Sequence, residues 1–287
     1  MNIILGASGQ VGSHIVKELI KVNSPVRAVV RNPGMKFDPK AEVRTADFFH
    51  LSQLTKAMAG GTTVFLLTPE NPGSNDIIGE TRQIIENYRQ AIQANGIRKI
   101  VGLSSIGAHL KGNTGNFLMS RMLELGFDDL DVKKVFIRPS YFFSNWLNFL
   151  GPMEQYGALP TFFPEDMKID MNSPLDVARF IANAITNNDQ SEEKEVYELV
   201  GPEKYSSREV GGIFAKLLDR DIAVQRIPKE KWKETLNSAG FTDNTAANLM
   251  AMTQAVIDKI AVSEKPDQVH RLATTLEEYL KVQTHFT

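Results

Sequence analysis

Short apolar runs alternate along the first half of the chain with segments whose apolar residues recur every three to four positions. The runs at 3–5, 26–30, 43–45, 64–67, 100–103 and 135–137 are brief and nearly continuous, the pattern of strands buried on both faces. Between them, Val11, Ile15, Val16, Leu19 and Ile20 share one helical face, as do Ile77, Thr81, Ile84, Ile85, Tyr88 and Ile92. The alternation predicts a parallel α/β sheet with helices packed on it.

After Pro139 the pattern changes. The passage "PSYFFSNWLNFLGPMEQYGALPTFFPED" is aromatic, punctuated by proline and glycine, and predicts a loop-like excursion from the sheet. At "KIDMNSPLDVARFIANAI" the helical pattern resumes, with Ser173 as N-cap, Pro174 in the first helical position and an apolar stripe of Val177, Phe180, Ile181 and Ile185. "VYELVG" predicts a strand, and "SSREVGGIFAKLLD" opens on a capping box from Ser206 to Glu209. From Ile222 onward we expect one short strand and several helices. This divides the chain into a sheet domain, 1–150, to which 170–200 return, and a smaller substrate-binding α/β subdomain, 151–287.

Composition removes several function classes. With 42% hydrophobic and 23% charged residues and a formal charge of −2, the chain carries no field that would favour nucleic acid or an anionic membrane. The absence of cysteine excludes disulfides, thiolate metal sites and cysteine nucleophiles. His14, His50, His109, His270 and His285 lack metal-ligand spacing, so no metal is expected. No signal-peptide pattern and no long apolar run are present, so we expect a cytoplasmic protein without a membrane partner.

The candidate chemistry starts at "MNIILGASGQVGSH". Gly6, Gly9 and Gly12 follow a predicted strand at once and open a predicted amphipathic helix. Glycine marks any turn, but this context is that of the phosphate-binding turn of a Rossmann-type, doubly wound sheet. There Gly6 permits the turn, Gly9 lets backbone approach a pyrophosphate, Gly12 allows helix-on-strand packing, and the amides of Ser8, Gly9, Gln10 and Val11 meet the anion. At the end of the second strand, "VRAVVRNP", an acidic residue would bind the ribose 2′-hydroxyl of NAD; the chain has Arg31, suited to the 2′-phosphate of NADP(H). NADPH is therefore favoured, with NADH as the alternative, and a solvated surface arginine is the plain reading.

With "GASGQVG", "VVRNP", "TADFFHLSQL", "VFLLTP", "IVGLSSIGA" and "VFIRPSYFFSNW" in this order, the chain resembles the NmrA-like, atypical short-chain dehydrogenase/reductase family. The resemblance is to its NAD(P)H:quinone oxidoreductase and triphenylmethane dye reductase branch. It implies that Asp47 and Phe48 lie at the adenine, that Thr68 and Pro69 run past the ribose and pyrophosphate, and that Ser104 and Ser105 end a strand near the nicotinamide. Pro139, Ser140, Tyr141 and Phe142 would close over its other side. Asp47 could equally cap the helix beginning near Ser52, and Thr68-Pro69 could be a turn.

Typical short-chain dehydrogenases use a Tyr-x-x-x-Lys pair to exchange a proton with an alcohol or carbonyl. None of the six tyrosines is followed four residues later by lysine, and the helix expected to carry the pair reads "NFLMSRMLE", with Phe117 and Arg121. Those two could also be a core aromatic and a surface charge. A quinone needs no such pair to accept a hydride, so orientation would carry the catalysis. Tyr141, Phe142 and Trp146, with Phe143, Phe149 and Tyr156 near them, are candidates for an apolar wall against which an aromatic acceptor stacks, or else for core. His109 is the histidine best placed to donate a proton, and Tyr141 the candidate catalytic aromatic.

The resulting expectation is an NADPH-dependent reductase of quinones or similar conjugated aromatics; a homodimer is compatible with it. The alternatives are a non-catalytic NADP(H)-sensing regulator of the NmrA type and, more weakly, a nucleoside-diphosphate-sugar epimerase or reductase.

Overall fold

A computed structural model describes residues 1–32, 34–187 and 193–283. Pro33 of the "RNP" motif and His285 lie outside them. The strands are β1 (Asn2–Leu5), β2 (Val26–Val30), β3 (Glu42–Thr45), β4 (Thr63–Leu67), β5 (Lys99–Leu103), β6 (Lys133–Pro139), β7 (Tyr141–Phe142), β8 (Ala158–Thr161), β9 (Ile169–Asn172), β10 (Lys194–Val200), β11 (Lys204–Tyr205), β12 (Ala223–Arg226) and β13 (His270–Arg271). Eight form one parallel sheet in the order β13-β10-β6-β5-β4-β1-β2-β3. The order reverses between β1 and β4, the crevice where doubly wound sheets bind ligands at the carboxyl ends of their strands.

The helices that matter for the site are α1 (Gly12–Lys21), α2 (Leu51–Met58), α3 (Ile77–Asn95), α4 (Phe117–Leu125), α5 (Leu150–Tyr156), α6 (Pro174–Thr186), α7 (Ser207–Leu218), α8 (Trp232–Ser238), α9 (Asp243–Ile257) and α10 (Leu276–Lys281). Ile15, Val16 and Leu19 of α1 pack with Val177, Ile181 and Ile185 of α6 on one face of the sheet, while Ile84, Tyr88 and Ile92 of α3 cover the other. The stripes read from periodicity are thus the buried stripes. The Ser173 cap and the Ser206–Glu209 capping box form as expected, each holding a first-turn amide.

Two expectations need correction. The aromatic passage after Pro139 is not loop-like: β7, a 3-10 helix (Phe143–Phe149), α5 and β8 follow one another in it. Its apolar side chains lacked a clean period because they pack into a third core, with Phe143, Trp146 and Met153 meeting Phe214 and Tyr279. Among the described residues, two strands lie beyond Ile222 rather than the one expected. His270–Arg271 pairs with β10 through Leu199 and Val200, two polar residues adding an edge strand that no apolar run announces.

Small sheets beside the main one join β7 to β9 in parallel, β9 to β11 antiparallel, and β8 to β12 in parallel. Among the described residues, no helix is long and apolar enough to cross a membrane.

Candidate functional site

The glycine turn is closed by its own backbone. Gly6, at φ 63°, accepts the Gly9 amide at 2.9 Å, and Gly9 accepts that of Ser13 at 3.0 Å. A Cβ on Gly12 would stand 2.3 Å from the Gly6 carbonyl oxygen, so this position admits only glycine without a shift of the turn. Ser8, Gln10 and Val11 donate none of the turn's backbone hydrogen bonds, and Ser8, Gly9 and Gln10 are exposed. Exposed amides at the start of α1 fit a pyrophosphate. The turn abuts β4, since a Cβ on Gly6 would touch Leu67 at 2.9 Å.

Arg31 stands exposed at the end of β2 and makes no ion pair among the described residues. Asp47 does not cap α2: its Oδ1 accepts the Phe49 amide at 3.0 Å, while its own amide donates to Gln53. Phe48 packs edge-on to Tyr88 at 5.6 Å and is partly exposed. Thr68 and Pro69 follow β4, and Ser104 and Ser105 follow β5; the two strands are in register at Leu67 and Leu103. The Ser104 hydroxyl donates to the Glu124 carboxylate at 2.5 Å and that of Ser105 to the Ile106 carbonyl. Pro139 ends β6 and is buried, and Ser140 Oγ accepts from Asn172 at 3.0 Å. These residues converge on one edge of the sheet. A cavity of about 420 Å³ runs from Gln10 and His14 in the turn region to Ser144, Leu147 and Tyr279.

The aromatic wall divides. Tyr141 and Phe142 are partly exposed, and burial pushes the Tyr141 phenol up to about 12 against a lowering hydrogen bond from Asn145. Trp146 is not a wall residue: it is 1% exposed, its indole N–H donates to Met171 Sδ, and its ring backs Tyr141 at 5.8 Å. Phe143 is likewise core, whereas Tyr156 is 71% exposed on the outer surface. Phe117 is buried at the start of α4, and Arg121 donates to the His109 carbonyl oxygen at 3.1 Å. The His109 ring has a buried Nδ1 with no hydrogen-bond partner among the described residues.

Two groupings were not foreseen. Arg138, within the apolar run of β6, is buried and bonds both oxygens of Glu124 at 2.8 and 2.7 Å and Glu264 at 2.6 Å, with Glu198 at 3.5 Å. Burial alone would lower its pKa; the hydrogen bonds and charges of Glu124 and Glu264 outweigh that and raise it. A charge inside a buried strand requires partners, and that was the signal available. The second is Glu70, directly after Thr68-Pro69. Its carboxylate accepts from Asn116 Nδ2 at 3.2 Å, and desolvation by the groups around it pushes its pKa up from the ordinary glutamate value although the residue is exposed. Its place at the carboxyl end of a strand could have flagged it.

Residues 129–280, more than half of the chain, match the NmrA-like family model. The chain belongs to the NmrA-like family. Residues 6–141 of this NmrA-like chain also match the family model described as NAD(P)H-binding. A relative from Xenophilus azovorans, an NAD(P)H azoreductase, is 23% identical over 86% of this chain and 84% of its own. The fold is shared with an NADPH-dependent quinone oxidoreductase from Escherichia coli solved with NADPH (TM-score 0.77, 23% identity, 98% and 99% coverage). It is shared too with a Citrobacter sp. triphenylmethane reductase solved with NADP(H) (TM-score 0.76, 19% identity, 98% of each chain).

Proposed function

We propose that this NmrA-like protein is an NADPH-dependent oxidoreductase that passes a hydride to a quinone or a similar conjugated aromatic acceptor. The observation that carries the reading is α4: where a phenol and a lysine would serve alcohol or sugar chemistry, Phe117 is sealed in the core and Arg121 is bonded to a backbone carbonyl. With no such pair, the fitting acceptor is one electrophilic enough to take a hydride unaided. The azo, quinone and dye reductases among the relatives support the same class.

When bound, reduced nicotinamide supplies the hydride. The exposed amides of the Gly6–Gly9–Gly12 turn bind the pyrophosphate, Arg31 the 2′-phosphate, and Asp47 with Phe48 flanks the adenine. Thr68, Pro69, Ser105 and Ser140 border the path towards the acceptor. Ser104 acts by holding Glu124 rather than through a free hydroxyl. Tyr141 and Phe142 supply the apolar face that orients the ring, and a phenol held near 12 stays neutral throughout the physiological range. A cytoplasmic setting belongs to the same reading.

The test is a titration with NADPH and NADH, followed by a panel of benzoquinones, azo dyes and triphenylmethane dyes under NADPH. Tighter binding of NADPH and acceptor-dependent oxidation are expected. Binding without any acceptor-dependent turnover would replace this reading by that of an NADP(H)-sensing regulator.

A further inference from the structure

The cavity of about 420 Å³ is walled by Gln10 and His14 at the start of α1, by Ser144 and Leu147 of the 3-10 helix, and by Tyr279 of α10. Its size falls within the roughly 300–1,000 Å³ of small-molecule sites. Gln10 belongs to the turn whose exposed amides fit a pyrophosphate, and Tyr141 and Phe142 directly precede the 3-10 helix. The cavity therefore lies between the turn and the segment that carries the aromatic pair.

Two hydroxyls meet in it, each on a rigid support. Tyr279 sits in α10, which opens on a capping box between Thr275 and Glu278 and buries Leu276 and Leu280 completely. The Leu276 amide donates to the Tyr205 hydroxyl at 3.1 Å, and the Tyr279 ring packs against Phe143 at 5.8 Å. Ser144 is flanked in the chain by Phe143 and two residues on by Trp146, both core side chains. Its Oγ is buried and closes no well-formed hydrogen bond among the described residues, yet it lies near enough to the Tyr279 phenol to act on it. Burial outweighs that contact and raises the phenol, so Tyr279 stays protonated and keeps a hydrogen to donate.

We propose that this cavity receives the acceptor, that the Tyr279 phenol donates a hydrogen bond to the acceptor oxygen on which negative charge develops, and that Ser144 positions the phenol. The inference rests on the reductase reading and deepens it. The lining mixes apolar side chains with neutral polar ones and, among the described residues, holds no carboxylate that would repel such an oxygen. His14 is its one side chain able to carry positive charge. Its Nδ1 lies 2.7 Å from the Gln10 carbonyl oxygen, which can only accept, so Nδ1 holds a hydrogen in either charge state. A flat, uncharged molecule bearing a carbonyl oxygen fits this lining.

A quinone takes a hydride, two electrons and a hydrogen nucleus, from NADPH and becomes a hydroquinone anion, with NADP⁺ as the oxidised product. Tyr279 keeps its proton throughout and contributes a hydrogen bond aimed at the place where charge appears. The anionic oxygen then takes a proton from water, completing the hydroquinone.

A cationic triphenylmethane dye without oxygen substituents is the control, because hydride uptake turns it into a neutral leuco product and no oxyanion forms. The experiment measures calorimetric binding of a benzoquinone and of the dye to the NADP⁺-bound protein, where no hydride is available, and single-turnover NADPH oxidation by each. Wild type is compared with Tyr279→Phe, Ser144→Ala and the double variant. In Tyr279→Phe, benzoquinone binding should weaken about 3- to 10-fold while dye binding is unchanged. The quinone-to-dye rate ratio should fall about 100-fold, as for loss of one oxyanion donor. Ser144→Ala should shift both quantities in the same direction and add nothing to Tyr279→Phe, the mark of a residue acting through the phenol. Either single variant serves if the other fails to fold. Hydroxyls satisfied by water alone would leave quinone binding and the rate ratio as in wild type, and that result overturns the inference, as does an equal fall with quinone and dye. Wild type that oxidises NADPH with neither acceptor overturns the reductase reading itself, and this inference with it.

Discussion

Two strand-to-helix connections at the same edge of the sheet differ in how far along the chain their holding groups lie. Between β1 and α1, the chain is fixed by its own backbone: Gly9 donates to Gly6, Ser13 donates to Gly9, and glycine is required where Gly12 approaches Gly6. Between β5 and α4, local backbone bonds such as Ala108 to Ser105 and Leu110 to Gly107 are joined by groups from far along the chain. Glu70 meets Asn116, Asn248 of α9 presses on Gly115, and the last residue of the connection spends its side chain outside its own helix. His109 Nδ1, Thr114 Oγ1 and Asn116 Oδ1, all in this second connection, are buried and unpartnered among the described residues. The first connection leaves the Ser8 and Gln10 amides exposed and unused by the turn; the second holds buried polar atoms without a partner among the described residues.

The sharpest way to break the second region is through Arg138. It anchors Glu124 of α4, which in turn holds Ser104 at the end of β5, and it reaches Glu264 beyond α9. Arg138→Leu leaves Glu124 and Glu198 buried without their countercharge, so the expected cost is about 3–5 kcal/mol by urea unfolding. The sign of the acid response is also defined. Arg138 holds the Glu264 carboxyl below the usual range through their hydrogen bond, so that contact stabilises the fold above the ordinary glutamate pKa. The contribution is lost as pH falls through the lowered value. In Arg138→Leu this part of the acid sensitivity should disappear; a variant as stable and as acid-sensitive as wild type would show the network to be dispensable.

The contrast between the two connections also explains what could be read from the chain. Gly6, Gly9, Gly12, the α1 stripe and Arg31 are local signals, each within a few residues of the strand that positions it, and the parallel sheet follows from apolar runs. Glu70, Asn116 and Arg138 act through partners that no local period reveals: Glu70 is one acid after a turn, and Arg138 is one cation inside an apolar run. Trp146 misled in the other direction. An aromatic in a Pro-rich passage reads equally as wall or core, and only the contact with Met171 decides for core.

The next effect concerns the first connection. In Gly12→Ala the new Cβ would lie 2.3 Å from a backbone oxygen that cannot swing aside as a side-chain end can. The expected loss is about 1–3 kcal/mol of stability from overpacking. Because the turn must move, the thermal stabilisation by saturating NADPH should vanish as well. Differential scanning fluorimetry with and without NADPH reads both. Retained stabilisation by NADPH would mean that the amides of Ser8, Gln10 and Val11 tolerate a displaced turn.

The smallest effect on stability, and the most selective on function, belongs to Arg31→Ala. Arg31 is exposed and makes no ion pair among the described residues, so its removal should change unfolding by no more than about 0.5 kcal/mol. The 2′-phosphate reading assigns it one charge-assisted contact that NADPH has and NADH lacks, worth about 1.5–3 kcal/mol. NADPH affinity should therefore fall roughly 10- to 100-fold while that for NADH stays within about 2-fold. Isothermal titration with both dinucleotides measures the difference. Equal loss for the two would move Arg31 from the phosphate to the adenine, whose face a guanidinium also stacks on, and cofactor choice would then have to come from elsewhere in the site.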